Sequence, residues 1–128
     1  MQTGMITRIA KALALVLGLS ISLAARAEPP ASTQEEINHL LGYIEKSGCE
    51  FYRNGIWYKS STAQTHLRSK YENLARMALI NATEDFIEKA ATKSSVSGRP
   101  YEVKCGSRAP VSSSLWLSEV LAQFRAVP

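Results

Sequence analysis

The apolar positions between residues 37 and 44 recur three and four residues apart, which is typical of an amphipathic helix. We predict that this helix starts at the Ser32 and Thr33 hydroxyls, which can satisfy free backbone N–H groups. It is expected to end near Lys46, because Gly48 can adopt the left-handed conformation that terminates a helix. One stripe of this helix then faces a hydrophobic core.

The same spacing predicts three further helices. The second is capped within Ser60-Ser61-Thr62 and runs from about Thr62 to Ala78. A short third helix is capped by Thr83, and the last is capped by Ser112 or Ser113. Their apolar positions are Ala63, Leu67, Tyr71, Leu74 and Ala78 in the second helix, Phe86, Ile87 and Ala90 in the third, and Leu115, Trp116, Val120, Leu121 and Phe124 in the last.

Strand patterns lie between these helices. Two aromatic-rich runs, 49–53 and 56–59, flank Asn54-Gly55, the dipeptide best suited to a type I′ turn, and predict a β-hairpin. Residues 101–105 alternate apolar and polar side chains, which predicts a half-buried strand that joins the hairpin. The element order is α-β-β-α-α-β-α. We therefore expect an α+β domain of about four helices on a three-stranded, at least partly antiparallel sheet, whose strand order is left open.

The first 27 residues differ from the rest of the chain. Arg8 and Lys11 precede an apolar run of 14 residues, Ala12–Ala25, and Ala25-Arg26-Ala27 forms a small-residue cleavage box. The run is shorter than the ~20 residues needed to cross a bilayer, so a cleaved signal peptide is predicted rather than an anchor. Cleavage is expected after Ala27, with delivery to the periplasm. The predicted divisions are a signal peptide at 1–27, an N-terminal leader segment at 28–35 and a single α+β domain at 36–128.

The net charge of the chain without its predicted signal peptide narrows the class of partner. The chain has 15 basic and 11 acidic side chains, and three of the basic ones precede residue 28. A nearly neutral mature domain without a basic run disfavours nucleic-acid binding. No stable membrane anchor is expected after cleavage, and no cofactor is predicted. Glu35 and Glu36 are interpreted as helix-dipole and solvent-facing acids.

Two cysteines, Cys49 and Cys105, remain in the exported part. In an oxidising compartment they predict one structural disulfide. A redox or nucleophilic thiol is the alternative, although the pair lacks the Cys-x-x-Cys spacing of redox sites. A metal site with His39 and His66 is weaker still, because no paired ligand spacing is present, and no metal is predicted.

An ordered series of short motifs runs through the predicted domain. The motifs are Ser47-Gly48-Cys49, Arg53-Asn54-Gly55, His66-Leu67 with Lys70-Tyr71, Thr83-Glu84-Asp85-Phe86-Ile87, Ser94-Ser95 with Ser97-Gly98, and Pro100-Tyr101. Together they resemble the YfeK-like family, small exported proteins of Gram-negative bacteria that form a domain of unknown function. The resemblance covers about residues 37–124. It implies a periplasmic single-domain protein and brings no established activity, substrate or catalytic residues.

The second helix carries two polar side chains on its apolar side. On a helical wheel Lys70 falls in the middle of the apolar arc and His66 at its edge, four residues apart. In one interpretation the Lys70 methylenes cover the core and its ammonium reaches solvent. In the other, the pair forms a small cationic or general-base site between this helix and the sheet.

The polar loop 94–99 is the second candidate site. Ser94, Ser95, Ser97 and Arg99 are the residue types of an anion cradle, and the same composition is typical of a flexible connector. If the loop folds beside the second helix, one of its hydroxyls could complete a nucleophile and base pair.

The hairpin aromatics offer a third candidate, a stacking surface at Trp57 and Tyr58, although alternate strand residues must face the core. We interpret the protein as a non-catalytic periplasmic binding or interaction module, whose partner is an unidentified periplasmic or envelope component or a small ligand. The alternative is a small periplasmic hydrolase or transferase using His66, Lys70 and a serine of loop 94–97. Catalytic residues are not assigned.

Overall fold

The computed structural model describes residues 28–128 of the chain. The predicted signal peptide and its cleavage site lie outside these residues. The helices and strands, in chain order, are α1 (Ala31–Lys46), β1 (Glu50–Arg53), β2 (Ile56–Lys59), α2 (Ser60–Arg76), α3 (Thr83–Ala90), β3 (Glu102–Lys104), β4 (Val111–Ser112) and α4 (Ser113–Ala126).

The sheet has the strand order β2-β1-β3-β4, and every neighbouring pair is antiparallel. Phe51 of β1 lies opposite Tyr58 of β2 and Val103 of β3, so the predicted third strand does join the hairpin. The prediction of three strands was wrong, because Val111 pairs with Val103 and adds a fourth strand. A strand of two residues is too short to show the alternation of apolar and polar side chains, so the sequence pattern does not predict it.

The α+β class agrees with the sequence pattern. The apolar residues of α1 that are spaced three and four apart are all fully buried in one core with Phe51 and Val103; they are Ile37, Leu40, Leu41 and Ile44. In α4 the predicted Val120 and Leu121 are buried, and so is Leu117, whereas the predicted Leu115 is 66% exposed. The buried strand residues Phe51 and Val103 therefore mark the inner face of the sheet, and their strand neighbours point to the outer face.

Three residues with positive φ confirm the predicted hairpin turn and the predicted end of α1. Asn54 and Gly55 have φ values of 50° and 85°, as a type I′ hairpin turn requires at both central positions. Gly48 has a φ of 66° and follows the end of α1. A glycine takes this left-handed conformation without the steric cost that a Cβ atom imposes.

The end of α2 is reached at Arg76, before the predicted end at Ala78. Ala78 adopts a left-handed φ of 57°. Its N–H donates to the Ala75 carbonyl, and the Leu79 N–H donates to the Leu74 carbonyl, both at 3.0 Å. This is the hydrogen-bond pattern of a Schellman motif, with alanine at the position where glycine is usual.

The predicted N-terminal caps of α1 and α2 were wrong. Helix α1 begins at Ala31 with Pro30 at its N-cap, so residues 31–35 of the predicted leader segment are helical. The Thr33 hydroxyl donates instead to the Asn81 carbonyl at 3.0 Å. Helix α2 begins at Ser60, whose hydroxyl donates to the Glu45 carbonyl at 3.1 Å. Each of these two hydroxyls donates to a carbonyl of a distant segment and therefore does not cap its own helix.

The caps of α3 and α4 differ from each other. Thr83 is the first residue of α3 rather than its cap, and the Asp85 carboxylate accepts the Ala82 N–H at 2.9 Å. In α4 the predicted cap is confirmed, since the Ser112 hydroxyl accepts the Leu115 N–H at 3.3 Å. The negative charge of an acidic side chain near the start of a helix also interacts favourably with the positive end of the helix dipole.

The predicted disulfide is confirmed between Cys49 and Cys105. Cys49 directly precedes β1 and Cys105 directly follows β3, so the bridge ties two neighbouring strands at one end. Within residues 28–128, no helix is both long enough and apolar enough to cross a membrane.

An ion-pair cluster links α1, α3 and α4. Arg125 donates from Nε to Glu36 at 2.7 Å and from Nη2 to Glu84 at 2.7 Å, and the Thr83 hydroxyl also donates to Glu36. These hydrogen bonds, with that from Arg125 the largest influence, lower the pKa of Glu36 to about 2. The interpretation of Glu36 as a solvent-facing acid was therefore wrong, because it joins three helices.

Candidate functional site

Four polar side chains meet where α2 packs on the inner face of the sheet. Arg53 ends β1, and strand alternation places it on the same face as Phe51. His66 and Lys70 lie one turn apart on α2, and Tyr101 directly precedes β3. We call Arg53, His66, Lys70 and Tyr101 the polar cluster. The predicted pairing of His66 with Lys70 is thus extended by one residue from each of two further segments.

Hydrogen bonds connect the members of the polar cluster. Arg53 Nη1 lies 3.0 Å from His66 Nδ1, and His66 Nε2 lies 3.3 Å from the Tyr101 hydroxyl oxygen. Lys70 Nζ donates to the same hydroxyl oxygen at 3.1 Å and to the Lys93 carbonyl at 3.2 Å. The Lys70 ammonium is therefore held by oxygen acceptors inside the fold as well as by solvent.

The protonation of His66 follows from its neighbours. Burial lowers the pKa of His66, and the positive charges of Arg53 and Lys70 lower it further. Burial also lowers the pKa of Lys70, with a further contribution from Arg53. A neutral imidazole that accepts from Arg53 at Nδ1 carries its proton on Nε2, from which it donates to Tyr101. The Tyr101 oxygen then accepts two hydrogen bonds, and its own proton is free for another acceptor.

The polar cluster carries excess positive charge. Among the ion pairs formed by residues 28–128, none includes Arg53 or Lys70. The Arg53 guanidinium also lies over the Tyr58 ring, 4.9 Å from its centroid, and Lys70 Nζ lies 5.0 Å from the centroid of Tyr101. Aromatic faces and carbonyls partly stabilise these cations. An anion would be attracted to the cluster by both of them.

A small cavity opens beside the polar cluster. Its volume is about 30 Å³, which is room for one or two water molecules. Arg53, His66 and Tyr101 contribute polar atoms to its lining, whereas Phe51 and Leu67 are among its apolar residues. In the part of the chain that the structure covers, no group of three or more acidic, histidine or cysteine side chains is arranged to hold a metal ion. The cavity is therefore too small for a large ligand.

The serine loop lies next to the polar cluster without entering its cavity. Ser94 is buried, and its hydroxyl oxygen accepts the Val96 and Ser97 N–H groups, both at 3.2 Å. The Ser97 hydroxyl donates to Asn54 in the hairpin turn. Ser95 and Arg99 are exposed, and none of these loop residues lines the cavity. The loop hydroxyls serve the loop backbone and its attachment to the hairpin.

The two predicted hairpin aromatics point in opposite directions. Tyr58 lines the cavity on the inner face of the sheet. Trp57 lies on the outer face, where its ring is 5.3 Å from that of Tyr52 and 4.6 Å from Lys104 Nζ. Adjacent residues of a strand must face opposite sides, so Trp57 and Tyr58 do not share one binding surface.

Arg53 and Tyr101 are the members of the cluster that sequence reasoning missed. Both were placed correctly in or beside strands, but neither was connected with His66. The available signal was alternation, because Arg53 is two residues from the buried Phe51 and Tyr101 is two residues from the buried Val103. Polar groups at positions that alternation assigns to the core are candidates for a site.

The polar cluster lies inside a domain known from other proteins. A model described as a family of unknown function (DUF5329) matches residues 31–125. This chain belongs to the DUF5329 family. Among curated proteins, Uncharacterized protein YfeK of Salmonella typhimurium (strain LT2) is 35% identical over 92 residues, which cover 71% of this chain and 75% of the relative. The resemblance to the YfeK-like family is therefore confirmed.

No solved structure matches the chain. The description of the DUF5329 family assigns no activity, so the chemistry of the site has to be argued from its own residues. All four members of the polar cluster fall within the DUF5329 match, which makes the cluster part of the family domain rather than of a terminal extension.

Proposed function

We propose that this DUF5329 protein is a non-catalytic periplasmic module that binds a small anion in the cavity beside the polar cluster. The observation that carries the proposal is the convergence of N–H and O–H donors from three segments on one cavity. Arg53 and Lys70 have no carboxylate partner among the ion pairs of residues 28–128. Converging donors with excess positive charge are the usual chemistry of an anion site.

The periplasmic part of the proposal rests on the predicted signal peptide and on the two cysteines. Residues 1–27 have the three parts of a secretory signal, and a disulfide persists in an oxidising compartment. Expression of the full chain, followed by fractionation and intact-mass measurement, tests this part. We expect a periplasmic product that begins at Glu28 and contains no free thiol. An uncleaved cytoplasmic product with two free thiols would contradict it.

Binding is proposed rather than catalysis because no serine of loop 94–97 lines the cavity with His66. The hydrolase or transferase alternative needs a serine of loop 94–97 within hydrogen-bond reach of His66. The Ser94 oxygen accepts backbone N–H groups of its own loop, and the Ser97 hydroxyl donates to Asn54. The use of these hydroxyls within the structure favours a site that holds its ligand unchanged.

His66 supplies a direct reporter of anion binding. In the free protein its pKa is lowered by burial and by Arg53 and Lys70. A bound anion offsets these positive charges, so the pKa of His66 is expected to rise. NMR titration of the imidazole resonances of the periplasmic product, with and without sodium acetate or sodium phosphate, measures this change.

Two variants complete the test. Arg53→Gln removes the guanidinium and is expected to weaken anion binding by about tenfold or more. Lys104→Gln is the matched control, because Lys104 lies 3.7 Å from Glu50 and does not line the cavity. Anion binding by the control should equal that of the wild type. If neither salt changes the His66 titration at millimolar concentration, the proposed function is wrong.

A further inference from the structure

We infer that the anion is a small monocarboxylate with a short apolar group, an inference that rests on the proposed function. Its carboxylate would lie against Arg53 and Tyr101, and its apolar group against Phe51 and Leu67. The inference depends on three properties of the cavity: its charge, the geometry of its free donors and its apolar lining.

The charge of the lining matches a single negative charge. Arg53 is the one permanently charged side chain that lines the cavity, since Lys70 is outside the lining and donates to the Tyr101 hydroxyl. Burial and the charges of Arg53 and Lys70 lower the pKa of His66, which favours its neutral form. A carboxylate carries one negative charge at neutral pH, whereas a phosphate monoester carries about 1.5 to 2. A dianion would have one guanidinium in direct contact, with the Lys70 ammonium only beyond the Tyr101 hydroxyl, so its second charge would lack a direct partner. The carboxylate is therefore the better match.

The free donors match the two oxygens of a carboxylate. Arg53 uses Nη1 for His66, and a guanidinium has five N–H donors in one plane, so others remain for a ligand. The Tyr101 oxygen accepts from Lys70, and in the tautomer of His66 that carries its proton on Nε2 it also accepts from His66, which leaves its own O–H to donate. Planar guanidinium and carboxylate groups pair well, and the hydroxyl offers a third hydrogen bond.

The apolar lining accounts for the rest of the ligand. Phe51, Tyr58, Ala63 and Leu67 line the cavity together with the polar atoms. A hydrated inorganic ion gains nothing from such walls, whereas an alkyl chain is removed from water by them. The volume of about 30 Å³ is far below the several hundred Å³ of sites for drug-sized molecules. Because the same volume holds one or two water molecules, the apolar group is limited to one or two carbon atoms.

Chain length provides the first measurement. Isothermal titration of the periplasmic product with sodium acetate, propionate and butyrate should show affinity rising about fourfold for each added methylene until the cavity is filled. Sodium phosphate is expected to bind at least about tenfold more weakly than propionate. Butan-1-ol, which has the chain without the charge, should bind more weakly than butyrate.

Two variants test the assigned contacts. Arg53→Gln should weaken propionate binding by about tenfold or more, and Tyr101→Phe by a few-fold, because it removes one hydroxyl donor. Tyr101→Phe keeps the buried ring and guards against a folding defect in the arginine variant. Lys104→Gln should bind propionate like the wild type.

The outcomes separate this inference from the proposed function. Tightest binding of a short carboxylate, lost in both cluster variants, supports both. If phosphate binds as tightly as propionate, or if affinity does not depend on chain length, the carboxylate inference is wrong while anion binding stands. If no anion binds, both are wrong. Carboxylate binding that survives Arg53→Gln and Tyr101→Phe would also overturn the assigned site.

Discussion

Replacing Arg125 with Gln would remove the charge that joins three helices at one corner of the domain. In the native cluster, Arg125 donates to both oxygens of Glu36, at 2.7 and 2.9 Å, and to Glu84 at 2.7 Å. The bond from Arg125 is the largest cause of the low pKa of Glu36, and the bond from Thr83 follows. The variant therefore acts through one well-defined set of contacts.

The size of the effect follows from this pKa. A carboxyl group whose pKa falls from 4.5 to about 2 on folding represents at most about 3 kcal/mol of stability at neutral pH. Water screens much of the attraction, because the Arg125 side chain is 45% exposed and that of Glu84 is 59% exposed. We therefore expect Arg125→Gln to lower the free energy of unfolding by about 1 to 2 kcal/mol at pH 7.

The pH dependence tests the reasoning more sharply than the size. Because the pKa of Glu36 is lowered in the folded state, its contribution is complete above about pH 4.5 and is lost as the pH falls toward 2. Urea unfolding of the wild type and Arg125→Gln should show a difference in free energy of unfolding that falls from its full size at pH 7 to about a quarter of it at about pH 2.5. As a control, Lys104→Gln should cost less than about 0.5 kcal/mol. A loss of equal size at both pH values would refute the electrostatic explanation.

Two further predictions concern the backbone and the disulfide. Ala78→Gly should raise the free energy of unfolding by about 0.5 kcal/mol, because glycine adopts the left-handed φ of 57° without steric strain. The control Ala122→Gly, in the interior of α4, should lower the free energy of unfolding by about as much or more. Thermal unfolding measures both, and destabilisation by Ala78→Gly would contradict the assignment of strain there. Replacing Cys49 and Cys105 together with alanine should cost about 4 kcal/mol in urea unfolding, since the bridge closes a long loop with a sequence separation of 56; an unchanged midpoint would contradict this.

Local patterns predicted the parts of the fold that depend on near neighbours. The Asn54-Gly55 dipeptide specified the hairpin turn because both residues tolerate positive φ. Helical spacing identified the buried stripe of α1, and Gly48 marked its end. Compartment reasoning predicted the bridge between Cys49 and Cys105. In each case the decisive chemistry belongs to the residue itself or to neighbours within one or two turns.

The caps show where such local rules fail. Thr33 is a good capping residue by type, but its hydroxyl finds the Asn81 carbonyl, which lies 48 residues away in the chain. The fourth strand was missed for the same reason, since Val111 is recognisable as a strand residue through its pairing with Val103. A hydroxyl or a backbone N–H has several possible acceptors, and distant elements decide which of them it meets.

In the candidate site, too, some residues follow from the local sequence pattern and others only from the tertiary structure. The sequence by itself determined that Lys70 and His66 lie on the apolar side of one helix, because a period of 3.6 residues places them there. Tertiary structure decided that Arg53, 13 residues before His66, and Tyr101, 35 residues after it, close the cluster. Helix packing on a sheet brings these groups together, and the strand order that controls it depends on long-range pairing that no short segment encodes.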